Sequence, residues 1–239
     1  MPYLEFLLFG GLAALIGAIV QSSVGLGVGL VATPIVTMLF PSLMPGSILV
    51  MALVLPMATL AQEFRHVELR GIGWAFGGRI AGTLPGAWLV AAVPDRALGI
   101  VIGLIVLAAL AATSLARAVP RNRRTLTAAG LVSGATGTAS GIGGPPIALL
   151  YQRESGPRVR ATLALFFIGG AVLSLTGLAV AGQLPARQVV AGLTLLPFVL
   201  TGFLAAGPLR RYLDAGRLRL ALLIVVGTSA VTLIVRNLV

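Results

Sequence analysis

The sequence predicts an all-α polytopic membrane protein made of two inverted repeats, each a broken or re-entrant helix hairpin plus three transmembrane helices. Three observations predict it: an apolar composition, a series of long apolar runs, and two Gly-Ser-Thr interruptions at corresponding places. The 239 residues are 58% hydrophobic and 10% charged, with a mean hydropathy of +1.05. A water-soluble domain cannot hide that much apolar surface, so lipid must solvate much of the chain. Glycine is abundant, at 31 residues, as in membrane helices whose backbones approach closely.

Apolar runs of about 17–25 residues mark candidate spans. The first, Tyr3 to Phe40, is too long for one span and is interrupted by Gln21-Ser22-Ser23-Val24-Gly25-Leu26-Gly27. Ser47–Gln62, Ile72–Val93 and Leu98–Ala116 follow. A fifth run, Leu126–Tyr151, is interrupted from Thr136 to Pro146, and Ala161–Ala181, Val189–Ala206 and Leu218–Val235 complete the series. Met1 to Phe9 carries no basic n-region, so Leu4–Val20 is expected to be a retained membrane segment rather than a cleaved signal.

The second half echoes the first. Ser22-Ser23-Val24-Gly25-Leu26-Gly27 aligns with Thr138-Ala139-Ser140-Gly141-Ile142-Gly143, and Pro34-Ile35 with Pro146-Ile147 after a short gap. Gly82 precedes Asp95 much as Gly202 precedes Asp214, and each Asp stands before the last helix of its half. The expected repeats are residues 1–118 and 119–239 of one membrane domain.

Every basic residue is an arginine, and the net charge is +11. The arginines lie mostly between apolar runs, so orientation in the bilayer explains them better than attraction of an anionic substrate or lipid does, and nucleic acid is not an expected partner. If all eight runs crossed once, each face would receive eight arginines, with Arg79 set aside inside its run. If the two interrupted runs instead enter and return on one side, the split changes. Arg65, Arg70, Arg117, Arg121, Arg123, Arg124, Arg153, Arg158, Arg160, Arg210, Arg211, Arg217 and Arg219 share a face, against Arg96, Arg187 and Arg236. Only the second arrangement obeys the positive-inside rule. It also makes the halves enter from opposite faces, the layout that supports alternating access.

A helix broken at membrane depth leaves backbone N–H and C=O groups without partners, so breaks are tolerated in protein or beside a cavity. N–H groups at a half-helix start favour an anion. The expected anion ligands are the side chains of Gln21, Ser22, Ser23, Thr136, Thr138 and Ser140, with Gly25, Gly27, Gly141, Gly143 and Gly144 giving access to backbone. Pro145-Pro146 suits the first turn of an exit helix. The competing reading is ordinary helix packing, since Gly25/Gly29 and Gly137/Gly141 are GxxxG pairs. Two hydroxyl-flanked breaks at matching places favour the ligand reading. Arg79, about two turns into its run, is an anion-binding candidate, with snorkelling to headgroups as the alternative.

Gln21-Ser-Ser-Val-Gly-Leu-Gly-Val-Gly-Leu-Val-Ala-Thr-Pro34 and Ser133-Gly-Ala-Thr-Gly-Thr-Ala-Ser-Gly-Ile-Gly-Gly-Pro-Pro146 resemble the paired signatures of the TauE/SafE sulfite exporters, the TSUP transporters. Arg160-Ala-Thr162 adds to the likeness, which spans essentially the whole chain. The resemblance implies a multi-pass permease of a bacterial-type inner membrane, carrying a small anion such as sulfite or an organosulfonate.

There is no cysteine and a single histidine, His66, so zinc-thiolate sites, HExxH chemistry and iron–sulfur clusters are excluded. No catalytic residue, metal or cofactor is expected. No carboxylate lies deep inside an apolar run, so proton coupling would use the substrate itself, His66 or a loop acid such as Glu63. The bland reading of Glu63–Arg70 is a solvated loop, and that of Asp95 and Asp214 is helix capping. Trp74 and Trp88 are candidate interface markers. The leading function is a secondary carrier, with an anion channel or a non-transporting scaffold as alternatives. The expected partners are a small anionic substrate and the lipid bilayer, and self-association is compatible with the sequence.

Overall fold

The computed structural model describes residues 2–24, 27–115, 119–209 and 215–238, with the backbone alone described at Pro2, Ser23, Val24, Ser114, Leu115, 208–209 and 215–222. Among these residues the chain is all-helical, without a strand. After an opening helical segment with a π-helical turn, Phe6–Gly10, the helices run in this order. α1 is Gly11–Val24, α2 Val28–Leu39, α3 Gly46–Met51, α4 Val54–Glu63, α5 Ile72–Ala92 and α6 Asp95–Leu115. α7 is Arg123–Ser140, α8 Gly144–Tyr151, α9 Gly156–Val180, α10 Ala186–Thr194, α11 Leu196–Leu209 and α12 Ala215–Leu238. Among the described residues, five helical stretches are long and apolar enough to cross a membrane: Tyr3–Ser22, Gly46–His66, Asp95–Thr113, Gly156–Val180 and Ala186–Gly207. The chain is a multi-pass membrane protein.

Both interrupted runs are broken where the sequence places the breaks, but each gap is narrower than expected. Helix continues through Val24 and through Ser140. The Ser22 and Ser140 hydroxyls bond the carbonyls of Ala18 and Thr136, four residues back, and so sit on regular helix. The second break turns at Gly141, whose φ of 76° is the left-handed conformation that glycine adopts freely. Two further interruptions divide the Ser47–Gln62 and Val189–Ala206 runs, at Ala52–Leu53 and Leu195. Each lies two to four residues before a proline, Pro56 or Pro197, which cannot donate to the preceding turn.

Each broken run returns to the end it came from. Phe6 and Phe40, beside the two outer ends of the α1–α2 pair, meet edge to face with ring centroids 5.3 Å apart. Arg121, before α7, lies 5.0 Å from the Tyr151 ring at the end of α8 and 3.2 Å from the Glu154 carboxylate. Arg123 stacks over Trp74 at the start of α5, and the Glu68 N–H donates to Thr162 at the start of α9. The loops carrying Arg65 and Arg70, Arg121 to Arg124, and Arg153 to Arg160 therefore share one end. Arg236 reaches the Met38 carbonyl, and Gln188 clamps Met44 and Gly46, at the α2 end. The sequence-predicted Arg210–Arg219 cluster lies outside the described side chains.

The tightest packing joins α5 to α7. A Cβ added at Gly78, Gly82 or Gly86 would collide with the backbone of Thr127, Leu131 or Ala135. Small residues thus let two backbones touch where no water is present to drive association. α11 meets α1 in the same way, with Gly202 against the Leu15 carbonyl. Leu15 and Leu131 are 116 residues apart, the same offset as Ser22 and Thr138. A glycine-to-backbone contact of this kind is thus made by each half of the chain.

Candidate functional site

The two breaks meet inside the protein. The Thr33 hydroxyl of α2 donates to the Ser140 carbonyl at the end of α7, at 2.9 Å. Gly29 lies so close to Gly141 that a Cβ there would stand 2.9 Å from the Gly141 oxygen. Between the tips is a cavity of about 70 Å³, lined by Gln21, Gly27, Gly29, the Gly141–Pro145 turn and Arg79. A single water needs roughly 10–15 Å³ on this measure, so several waters or a small oxyanion fit. The starts of both exit helices, α2 and α8, line the same space and present partial positive charge to it.

Arg79 reaches the cavity from α5 and is only 3% exposed. Its side chain points inward, not to headgroups, so snorkelling does not describe it. One terminal nitrogen donates to the Ser133 carbonyl at 2.9 Å and to the Ser133 hydroxyl at 2.6 Å. The other donates to Ser174 on α9 at 3.3 Å, and the guanidinium carbon lies 5.5 Å from the Phe166 ring. Gly137, Gly143 and Gly170 form the walls of its slot, since a Cβ at any of them would collide with the guanidinium. The Nε–H is buried with no hydrogen-bond partner. Among the described residues no carboxylate pairs with Arg79: Glu63 binds Arg160, and Glu154 binds Arg121 and Arg158. A buried cation held only by neutral groups is costly and is stabilised by any anion that reaches it.

The other sequence-predicted ligands fall into distinct places. The Gln21 side-chain oxygen accepts the Val28 N–H at 3.0 Å, so Gln21 caps α2 across the first break while lining the cavity. Gly27, Gly141, Gly143 and Gly144 all line it. Ser22 lines an adjoining space instead. Thr138 is fully buried and shares a 2.8 Å hydrogen bond with Ser174, behind the guanidinium. The Ser140 hydroxyl accepts the Ile142 N–H and so supports the turn. Thr136 bonds the Val132 carbonyl of its own helix and is not among the cavity residues. Ser23 and Gly25 lie outside the described side chains and residues.

Ser133 and Ser174 were not singled out in the sequence, although they hold Arg79. Ser133 had a readable signal: it lies four residues before Gly137, on the same helical face, and its hydroxyl also bonds the Gly143 carbonyl across the break. Ser174 sits in an apolar run with no motif around it.

Two broken helices meeting tip to tip around a buried cation is the architecture of membrane transporters built on discontinuous helices. The chain belongs to the TauE/SafE family: the model described as "Sulfite exporter TauE/SafE" matches residues 10–233. That family consists of transporters rather than enzymes. No curated protein and no solved structure matches the chain.

Proposed function

We propose that this protein is a secondary carrier for a small oxyanion, sulfite or an organosulfonate, in a bacterial-type inner membrane. The substrate rests between the two breaks, with Arg79 as its counter-charge and the α2 and α8 N-termini on either side. The observation that carries this reading is Arg79, a 3% exposed guanidinium with a free Nε–H and no carboxylate partner among the described residues. Gly27, Gly141, Gly143 and Gly144 supply backbone access, Gln21 holds the first break in shape, and Thr138 braces Ser174.

Residues 1–118 and 119–239 act as two inverted halves that rock about the site. Support comes from the duplicated Gly82–Leu131 and Gly202–Leu15 contacts, and from broken runs that return to opposite ends. With the arginine-rich end in the cytoplasm, the chain obeys the positive-inside rule. The test is uptake of radiolabelled sulfite and methanesulfonate into proteoliposomes. Saturable counterflow that Arg79→Met abolishes is expected. Flux that never saturates, or that survives the substitution, contradicts the proposal.

A further inference from the structure

We infer that Arg160 forms a second, outer oxyanion site on the route to Arg79, and that the Glu63 carboxylate occupies this site when no substrate is there. The inference rests on the carrier reading above and adds the entrance that reading lacks.

A second cavity, of about 100 Å³, adjoins the first. It is lined by Glu63, Gln62 and Thr59 of α4, by Arg160 of α9, and by Gln21 and Ser22. Gln21, Pro56 and Phe167 line both cavities, so these three side chains are the partition between Arg160 and Arg79. The outer space lies at the arginine-rich end, beside the loops that carry Arg65 and Arg153.

Arg160 and Glu63 are 97 residues apart, and the guanidinium holds the carboxylate through its fork. Its Nε lies 3.2 Å from each carboxylate oxygen, and a terminal nitrogen adds a further bond. A carboxylate so held marks where the oxygens of a sulfite or sulfonate would sit, because the fork reads planar pairs of oxyanion oxygens of either kind. The exchange costs little. The Arg160 and Glu63 side chains are 34% and 21% exposed, and pairs open to solvent contribute little to stability. An arriving anion can therefore displace Glu63, which swings into the aqueous mouth. Arg79 offers the opposite case, a cation with no paired anion among the described residues, so the substrate moves from a site where it competes to one where it does not. Gln21 joins both cavities and also caps α2, so passage past it is coupled to the shape of the first break.

The test is equilibrium dialysis of radiolabelled sulfite against purified protein in detergent. At sulfite that saturates the Arg79 site but does not displace Glu63, wild type is expected to bind one ion per chain and Glu63→Gln two, because its Arg160 has lost its competitor. Adding Arg160→Gln to Glu63→Gln returns the count to one, and adding Arg79→Met instead leaves one, at the outer site. A Glu63→Gln count equal to wild type overturns the outer site and leaves the Arg79 reading standing. A wild type that binds none beside a Glu63→Gln that binds one overturns the Arg79 reading and leaves the outer site standing. The Glu63→Gln, Arg160→Gln double variant leaves no unpaired charge, so it also serves if the single variant does not fold. In proteoliposomes its kcat/KM for sulfite should fall about tenfold with kcat held, the low end of what a charged cleft contributes. An unchanged kcat/KM overturns the inference.

Discussion

Replacing Arg79 by Met should move function and stability in opposite directions. The guanidinium makes three hydrogen bonds to neutral serine groups and faces no carboxylate among the described residues. An anion about 4 Å from it gains about 4 kcal/mol at an effective dielectric near 20. A hydrogen bond to a charged group contributes about 1.5–3 kcal/mol and is part of the same attraction, not an addition to it. Losing about 3–4 kcal/mol corresponds to a drop in sulfite affinity of roughly 10²- to 10³-fold. Arg79→Lys keeps the charge without the planar fork and should lose about tenfold. Folding responds differently. Met fills a similar volume, removes a lone buried charge, and leaves Ser133 bonded to the Gly143 carbonyl. Removing a buried charge in favour of an apolar side chain is neutral or stabilising. Dialysis with labelled sulfite and a thermal melt in detergent read the two effects. An Arg79→Met protein that keeps its affinity within threefold refutes the site. One that melts well below wild type and loses binding assigns Arg79 a structural role instead.

Three further outcomes follow from the packing. Gly82→Val should wedge α5 from α7 against the Leu131 carbonyl, and Gly202→Val should do the same to α11 and α1, each costing about 1–3 kcal/mol in a detergent melt. Gly77→Ala, which meets nothing within 4 Å, should be silent, and equal melting of all three would contradict the close approach. Gln21→Ala frees the Val28 N–H and should cost about 1 kcal/mol, as loss of a helix cap does, while raising the KM for sulfite; an unchanged melt and KM would show the cap to be idle. The chain has no native cysteine, so single-cysteine labelling is clean. Arg123→Cys and Arg158→Cys should label from one face of oriented vesicles, and Asp95→Cys and Arg187→Cys from the other.

Which runs form helices, and where two of them break, could be read from the sequence because apolar length and Gly-Ser-Thr composition are local properties. The arginine distribution went further, since it favoured returning hairpins, and the Arg121–Glu154 contact places the two loops of the second hairpin together. The breaks proved narrower than the polar stretches around them, because Ser22, Thr136 and Ser140 each spend a bond on their own helix. Composition does not reveal how a hydroxyl is used. Pro56 and Pro197 are helix breakers inside two of the apolar runs, and both runs divide just before them. The site was half legible. Arg79, Gln21 and the glycines stood out as exceptions to an apolar pattern, whereas Ser133, Ser174 and Phe166 matter only because α7 and α9 close around Arg79. That closure depends on facing between helices distant in sequence, which a single chain read alone does not contain. The Gly78, Gly82 and Gly86 spacing, with Ser133 four residues before Gly137, carries a partial signal of it.

The central claim is that an oxyanion rests between the two helix breaks, against Arg79. Anomalous diffraction from crystals grown with selenite, a heavier analogue of sulfite, tests it most directly. The account predicts a selenium peak within hydrogen-bonding reach of the Arg79 guanidinium, flanked by the Gly27 and Gly143–Gly144 backbone. A peak confined to the surface arginines, with the space between the breaks holding only water at saturating selenite, would contradict it.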